Sequence, residues 1–307
     1  MESLKGRDLL SLADLTVAEL HSVLSLGIQL KSGMRKLQRR KVLGLMFSKA
    51  STRTRVSFSV AMYQLGGHII DLNPSVTQVS RGEPLVDTAR VLGRYLDAIA
   101  IRTFAQKDLE TFASYAEIPV INALTDREHP CQVLADLMTV QECFNRMAGL
   151  TLTYFGDGAN NMAHSLLLGC AMVGMNIRIA TPSQYPPNPE IVEQAKAIAA
   201  GKTEVIITDD PAEAAKGSHV LYTDVWASMG QESEADDRIP LFMPFQVNES
   251  LLAKADDDAI VLHCLPAHRD EEITDGVIEG VRSRVWDQAE NRMHAQKALL
   301  ASLLSDD

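Results

Sequence analysis

Ser51-Thr52-Arg53-Thr54-Arg55 puts three hydroxyls and two guanidiniums into five consecutive positions. The run follows an apolar, strand-like segment, Val42–Phe47, and opens a stretch of helical periodicity through Val56, Phe58, Met62 and Leu65. Hydroxyl side chains at a strand-to-helix junction act as N-caps, and the first amides of such a helix have no partner within it. Those amides, the helix dipole, the hydroxyls and a guanidinium together suit an anion the size of phosphate. Arg53 and Arg55 are two apart, so they cannot both face one ligand from a helix. Arg53 is therefore expected to meet the anion and Arg55 to form a structural ion pair. A hydroxyl-rich cap is more often only a cap, so any chemistry here depends on partners elsewhere.

Three such partners stand at the ends of predicted strands: Ile101-Arg102-Thr103, His129-Pro130-Cys131-Gln132 and His263-Cys264-Leu265-Pro266. Ligands of open α/β sheets bind outside the carboxyl ends of the strands, so these positions could converge on Ser51–Thr54. Taken singly, a strand-end histidine is more often structural. Gly156-Asp157-Gly158-Ala159-Asn160-Asn161 also joins a strand to a helix, but the third glycine of a dinucleotide fingerprint is missing and no Walker lysine motif occurs. A turn that presents Asn161 to a small polar ligand, with Asn160 as a helix cap, is the better reading. Asp224 follows the strand His219–Thr223. An exposed carboxylate at a strand end is often only a loop residue, yet at the same sheet edge as Asn161 it could receive a cationic amine.

His129, Cys131, His263 and Cys264 invite a metal, but their spacing is wrong for a structural zinc site. His263 and Cys264 are neighbours on a strand and should point to opposite faces. A zinc deaminase pattern is absent too. No metal and no cofactor is expected.

Positioning these groups requires alternating strands and helices. After a helical first ~40 residues, apolar runs recur at 42–47, 68–72, 98–101 and 119–121, with helices between them, including 87–96. The polar segment 77–84 reads as a loop. After His129–Gln132 a long helical pattern, through Val133, Leu134, Leu137 and Val140 to about 147, bridges to a second set of strands at 150–155, 176–180, 204–208, 219–223 and 259–264. Helices fit at 161–173, 189–199 and 248–255, a mobile surface loop at 229–238, and a closing helix at 292–304. This predicts an α/β protein of two domains, each a parallel sheet flanked by helices, joined by a bridging helix. The boundaries fall at 1–147 and 148–290, with the terminal helix 291–307 packing back on the first domain.

The 307 residues carry a net charge of -11, which argues against nucleic acid as a partner. No signal peptide is evident and no apolar run reaches the ~20 residues of a membrane span. Four scattered cysteines suggest free thiols in the cytoplasm.

Ser51-Thr-Arg-Thr-Arg55, His129-Pro-Cys-Gln132, Asp224-x-x-x-Ser-Met-Gly230 and His263-Cys-Leu-Pro266 resemble, in order and spacing, the signature set of the ornithine carbamoyltransferases, within the aspartate/ornithine carbamoyltransferase family. The resemblance covers essentially the whole chain, and its last two motifs favour ornithine over aspartate. It implies that Ser51, Thr52, Arg53, Thr54, Gln78, Arg102 and Arg292 bind carbamoyl phosphate, with His129, Pro130, Cys131 and Gln132 around its carbamoyl end. Asn161, Asp224, Ser228 and Met229 would hold L-ornithine, and Cys264 and Leu265 would lie where the two substrates meet. Arg102, His129 and Cys264 are the implied catalytic residues, and a homotrimer or a multiple of trimers the implied assembly. Two alternatives stay open: a carbamoyltransferase for another amine such as putrescine, and a non-catalytic anion-binding paralogue.

Overall fold

The computed structural model describes residues 4–33, 37, 39–49, 51–73, 77–227 and 235–305. Two compact units emerge, Met1–Met138 with Asn291–Asp307, and Thr139–Glu290.

In the first unit, helix α1 (Val17–Ser32) precedes β1 (Val42–Phe47), α2 (Thr52–Gln64), β2 (His68–Leu72), α3 (Leu85–Leu92), β3 (Ala98–Arg102), α4 (Gln106–Ala116) and β4 (Val120–Leu124). The four strands are parallel, in the order β2-β1-β3-β4. Strands β1, β3 and β4 are buried nearly throughout, as expected where helices cover both faces. The chain leaves β1 toward β2 and resumes on the other side at β3. The carboxyl ends of β1 and β3 therefore flank a topological switch point, where open α/β sheets bind ligands.

Helix α5 (Pro130–Phe144) crosses the unit boundary at Met138. The second unit continues with β5 (Thr151–Phe155), α6 (Asn161–Val173), β6 (Asn176–Ala180), α7 (Pro189–Ala199), β7 (Val205–Thr208), α8 (Pro211–Ala215) and β8 (Val220–Thr223). It ends with α9 (Ala235–Phe242), α10 (Glu249–Leu252), β9 (Ile260–His263) and α11 (Asp275–Ile278). Its parallel sheet has the order β7-β6-β5-β8-β9, so the switch point lies between β5 and β8. The last helix, α12 (Val285–Leu304), also crosses the boundary. Its later part is tied into the first unit, where Lys297 Nζ donates to Leu30 O and Gln64 Oε1, both at 2.8 Å.

The two parallel sheets are as expected, with differences in extent. Strand β4 runs on through Asn122, a residue that would ordinarily end an apolar run. Asn122 is fully buried, and its Nδ2 donates to Leu10 O at 2.8 Å, which gives the amide nitrogen a partner inside the sheet. The polar segment 77–84 holds a single 3-10 turn, Gln78–Arg81. Helices α1, α3 and α10 are shorter than their periodic patterns, and α12 begins seven residues before 292, at Val285. The loop expected at 229–238 is helical from Ala235 onward, while 228–234 lie outside the described residues. Among the described residues no helix is long and apolar enough to cross a membrane.

Glu128, just before α5, is 1% exposed, and its Oε2 accepts from Leu12 N at 3.0 Å. Burial pushes its carboxyl up to about 7, from an ordinary 4.5. The folded state thus favours the protonated acid. The resulting stability is fully present below the ordinary value and is lost as pH rises through about 7. Glu128→Gln is expected to abolish that decline, worth about 3 kcal/mol between pH 4.5 and 8. Urea unfolding of both forms across this range checks it.

Candidate active site

The hydroxyl-rich run sits where the switch point of the first sheet requires a ligand site. Arg102 is the last residue of β3, in register with Phe47 at the end of β1. Ser51 occupies the N-cap position of α2 but makes no side-chain cap bond; its hydroxyl instead accepts from Arg102 Nη1 at 3.0 Å. The expected cap is thus given up to a guanidinium. Thr52 and Arg53 are exposed, and Thr54, one residue on, is buried. Arg55 pairs with Asp71 on β2 and lies 5.1 Å over the Phe47 ring, the supporting role expected of it.

Arg292 gathers the remaining groups. Its Nη2 donates to Thr54 Oγ1 at 2.6 Å and to His129 Nε2 at 2.9 Å, and its Nη1 donates to Gln132 Oε1 at 2.8 Å. Burial, Arg292 and Arg102, in that order, hold His129 well below the ordinary histidine range, so it is neutral at pH 7. Because Nε2 accepts from a guanidinium, the ring proton is on Nδ1. Pro130 opens α5 at the first helical position, where its missing N–H costs nothing. Cys131 does not join this cluster through its side chain. Its thiol donates to Asn122 O at 3.4 Å, and burial pushes it up to about 12, so it is a neutral packing group. Gln78 is exposed on its 3-10 turn, and its side chain is not brought into the cluster.

In the second unit, the turns after β5, β8 and β9 bring another polar set together. Asp224 is buried, not exposed as expected. Its Oδ2 accepts from Asn160 Nδ2 at 3.0 Å, and its Oδ1 accepts from Val225 N at 2.8 Å and from the Cys264 thiol at 2.9 Å. Asn160 thus does more than cap α6 through Met162 N. Its neighbour Asn161 is half-buried as the first residue of that helix. Gly158 lets the turn lie close to its surroundings, since a Cβ there would sit 2.7 Å from Tyr185 O. Leu265 has φ 58°, a left-handed value uncommon for a side chain of its size, and its N–H donates to His263 Nδ1 at 2.8 Å. Ser228 and Met229 lie outside the described residues.

Donor atoms of Asp224, His263 and Cys264 lie within 4.8 Å of one another, contrary to the expectation that neighbouring side chains diverge. The strand ends at His263, so alternation no longer governs Cys264. Both His263 nitrogens are already engaged, Nδ1 by Leu265 N–H and Nε2 by Glu272 Oε1 at 2.9 Å. Binding a metal would break one of these buried bonds.

A family model described as aspartate/ornithine carbamoyltransferase, carbamoyl-P binding domain, matches residues 7–142. A second, described as the Asp/Orn binding domain of the same enzymes, matches residues 148–303. The chain belongs to the aspartate/ornithine carbamoyltransferase family. It is 74% identical over 304 residues to the ornithine carbamoyltransferase of Nostoc punctiforme, covering 99% of each chain. Among solved structures, that of the ornithine carbamoyltransferase of Gloeobacter violaceus is 59% identical with a TM-score of 0.89, over 98% of this chain and 100% of that one. That of the Pyrococcus furiosus enzyme is 48% identical with a TM-score of 0.95, over 99% of each.

One feature of this carbamoyltransferase chain had no local sequence signal. Arg238, expected in a mobile loop, is 2% exposed and paired with Asp157 of the Gly-Asp-Gly turn. Its guanidinium lies 4.6 Å from the Tyr185 ring centre and 5.2 Å from that of Phe242. Phe242 lies one turn on along α9, but Asp157 and Tyr185 come from distant elements, which the polar sequence around Arg238 does not announce.

Proposed function

We propose that the chain transfers the carbamoyl group of carbamoyl phosphate to the side-chain amine of L-ornithine, giving L-citrulline and phosphate. The observation that carries this reading is the Arg292 cluster with Thr54, His129 and Gln132, beside the Ser51–Arg102 pair at a sheet switch point. Guanidiniums around a helix N-terminus suit a phosphate, and the neutral imidazole and carboxamide suit an uncharged carbamoyl group. The shared name of the close relatives supports ornithine as the acceptor.

Residues 1–147, with 291–307, serve as the carbamoyl phosphate-binding domain and 148–290 as the ornithine-binding domain. Ser51, Thr52, Arg53, Thr54, Gln78, Arg102 and Arg292 bind the donor's phosphate and carbonyl, with His129–Gln132 at its carbamoyl end. Asn161, Asp224, Ser228 and Met229 hold ornithine, and Cys264 and Leu265 touch both substrates. The amine nitrogen attacks the carbonyl carbon, a tetrahedral intermediate forms, and the bond to the phosphate oxygen breaks. The departing phosphate takes the amine's proton. Arg102, Arg292 and the Thr54 hydroxyl are the donors to the developing oxyanion. His129, neutral with Nε2 accepting, orients Arg292 rather than supplying a charge. The Cys264 thiol donates to Asp224 and so keeps its proton; it orients the acceptor and forms no covalent intermediate.

An alkyl amine with pKa ~10.4 is mostly protonated at pH 7, and recovering the neutral form costs about 4–5 kcal/mol. Desolvation and nearby cationic groups lower that cost, while Asp224 engages the α-amine. Carbamoyl phosphate accordingly binds first, because unneutralised arginines repel a cationic amine. The enzyme acts as a homotrimer or a multiple of trimers in the cytoplasm, in arginine biosynthesis, a reading that the family resemblance supports.

Arg53→Ala is expected to weaken carbamoyl phosphate binding by roughly a hundredfold, on the scale of a lost charge-assisted bond. Arg55→Ala should leave that affinity unchanged and cost no more than about 1 kcal/mol of stability, because its ion pair is solvent-exposed. Equilibrium titration and urea unfolding of both variants separate the two roles. The acceptor is tested by steady-state rates with ornithine, putrescine and aspartate. Ornithine should be used best by at least about a hundredfold, since only it offers Asp224 an α-amine beside a free side-chain amine. A preference for putrescine would reassign the second substrate.

A further inference from the structure

Asp136 is a fully buried carboxylate on α5, one turn after Gln132, and no role given above uses it. Gln132 Nε2 donates to Asp136 Oδ1 at 2.7 Å, while the other end of the same amide, Oε1, accepts from Arg292 Nη1 at 2.8 Å. A carboxamide has two ends of nearly equal size and opposite hydrogen-bonding character, so shape alone does not decide which end faces a ligand. An ionised carboxylate only accepts, and therefore binds only the NH2 end. Arg292 also requires the oxygen end, but it is read as a ligand contact whose bonds change when substrate arrives. Asp136 lies on the same helix as Gln132 at i,i+4, a fixed relation that substrate does not disturb.

We propose that Asp136 is a positioning residue that locks the Gln132 amide with its oxygen toward the substrate, and that this oxygen selects a carbamoyl donor by accepting from its NH2 group. The consequence is discrimination among acyl phosphates. Acetyl phosphate has the same shape, with a methyl in place of the NH2, and cannot donate to Gln132 Oε1. A site built to bond an NH2 rejects an analogue without one, because its own acceptor is left unpaired. The proposal rests on the reading of His129–Gln132 as the carbamoyl end.

An i,i+4 amide–carboxylate pair also stabilises a helix, so the test must separate orientation from folding. Binding of carbamoyl phosphate, acetyl phosphate and inorganic phosphate would be measured calorimetrically for the wild type, Asp136→Asn and Asp136→Glu. In Asp136→Asn either end of the new amide can face Gln132, which frees that side chain to turn over. Its carbamoyl phosphate affinity should fall roughly tenfold, the scale of one net hydrogen bond, with the other two ligands unchanged within about twofold. Asp136→Glu, which keeps an obligate acceptor, should retain more of the selectivity than Asp136→Asn. An undiminished preference for carbamoyl over acetyl phosphate in Asp136→Asn, or an equal loss for all three ligands, would overturn the proposal. A wild type that binds phosphate but shows no preference for carbamoyl phosphate would overturn the reading of the carbamoyl end itself.

Discussion

Arg292→Ala is expected to lower kcat/KM for carbamoyl phosphate by about 10³-fold or more, on the scale of losing one preorganised oxyanion donor and its supporting contacts. Arg292 is buried and donates to Thr54, His129 and Gln132 at once. Its removal takes away a positive charge and unfastens the three groups it holds in place. His129 offers a second readout. Burial and the two guanidiniums depress its basicity, so alanine at 292 removes one of these causes and moves its titration upward, toward the ordinary histidine range. NMR titration of the imidazole, together with steady-state kinetics, checks both effects. Arg292→Lys should recover little, because an ammonium cannot span the same three acceptors with a planar fork.

The second large effect falls on the acceptor side. Asp224→Asn is nearly isosteric, yet it should raise the ornithine KM by about 10²-fold, the scale of losing a buried charge partner. The carboxylate accepts from Asn160, Val225 and Cys264 in the structure. An amide in its place can no longer accept at both ends, so one of these donors loses its bond. Carbamoyl phosphate affinity should fall far less, since Asp224 is tied to the groups assigned to that substrate only through the Cys264 thiol. Initial rates over an ornithine series at saturating donor, with donor affinity measured separately, distinguish this outcome from general damage.

How far the residues alone announced these roles depended on whether a group's partners lie nearby in sequence. The strands at 42–47, 68–72 and 176–180 were legible because an apolar run between polar turns needs no distant information. The division between Arg53 and Arg55 was legible from helix geometry, and Asp71 was waiting on the next strand. Strand order was not legible, because alternation predicts parallel pairing and leaves the sequence of neighbours open. Only the orders 2-1-3-4 and 7-6-5-8-9 explain why Ser51 meets Arg102 and why the Asn160 turn meets Asp224. Burial of polar groups was the other blind spot. Asp224, Asn122 and Arg238 each sit inside the protein bonded to a partner from a remote element, and no periodicity records that. Motif resemblance named Arg292 as a substrate contact, but its junction of three other motif residues is visible only in three dimensions.

The reaction itself admits a direct measurement. The purified chain would be mixed with L-ornithine and carbamoyl phosphate labelled at its carbonyl carbon, and the label followed by NMR as phosphate is quantified. The expected result is a ureido carbon signal of citrulline that grows in step with phosphate and in proportion to enzyme. Loss of carbamoyl phosphate at its spontaneous rate, with ornithine unconsumed and no ureido signal, would contradict the assignment of this chain as a carbamoyl transferase.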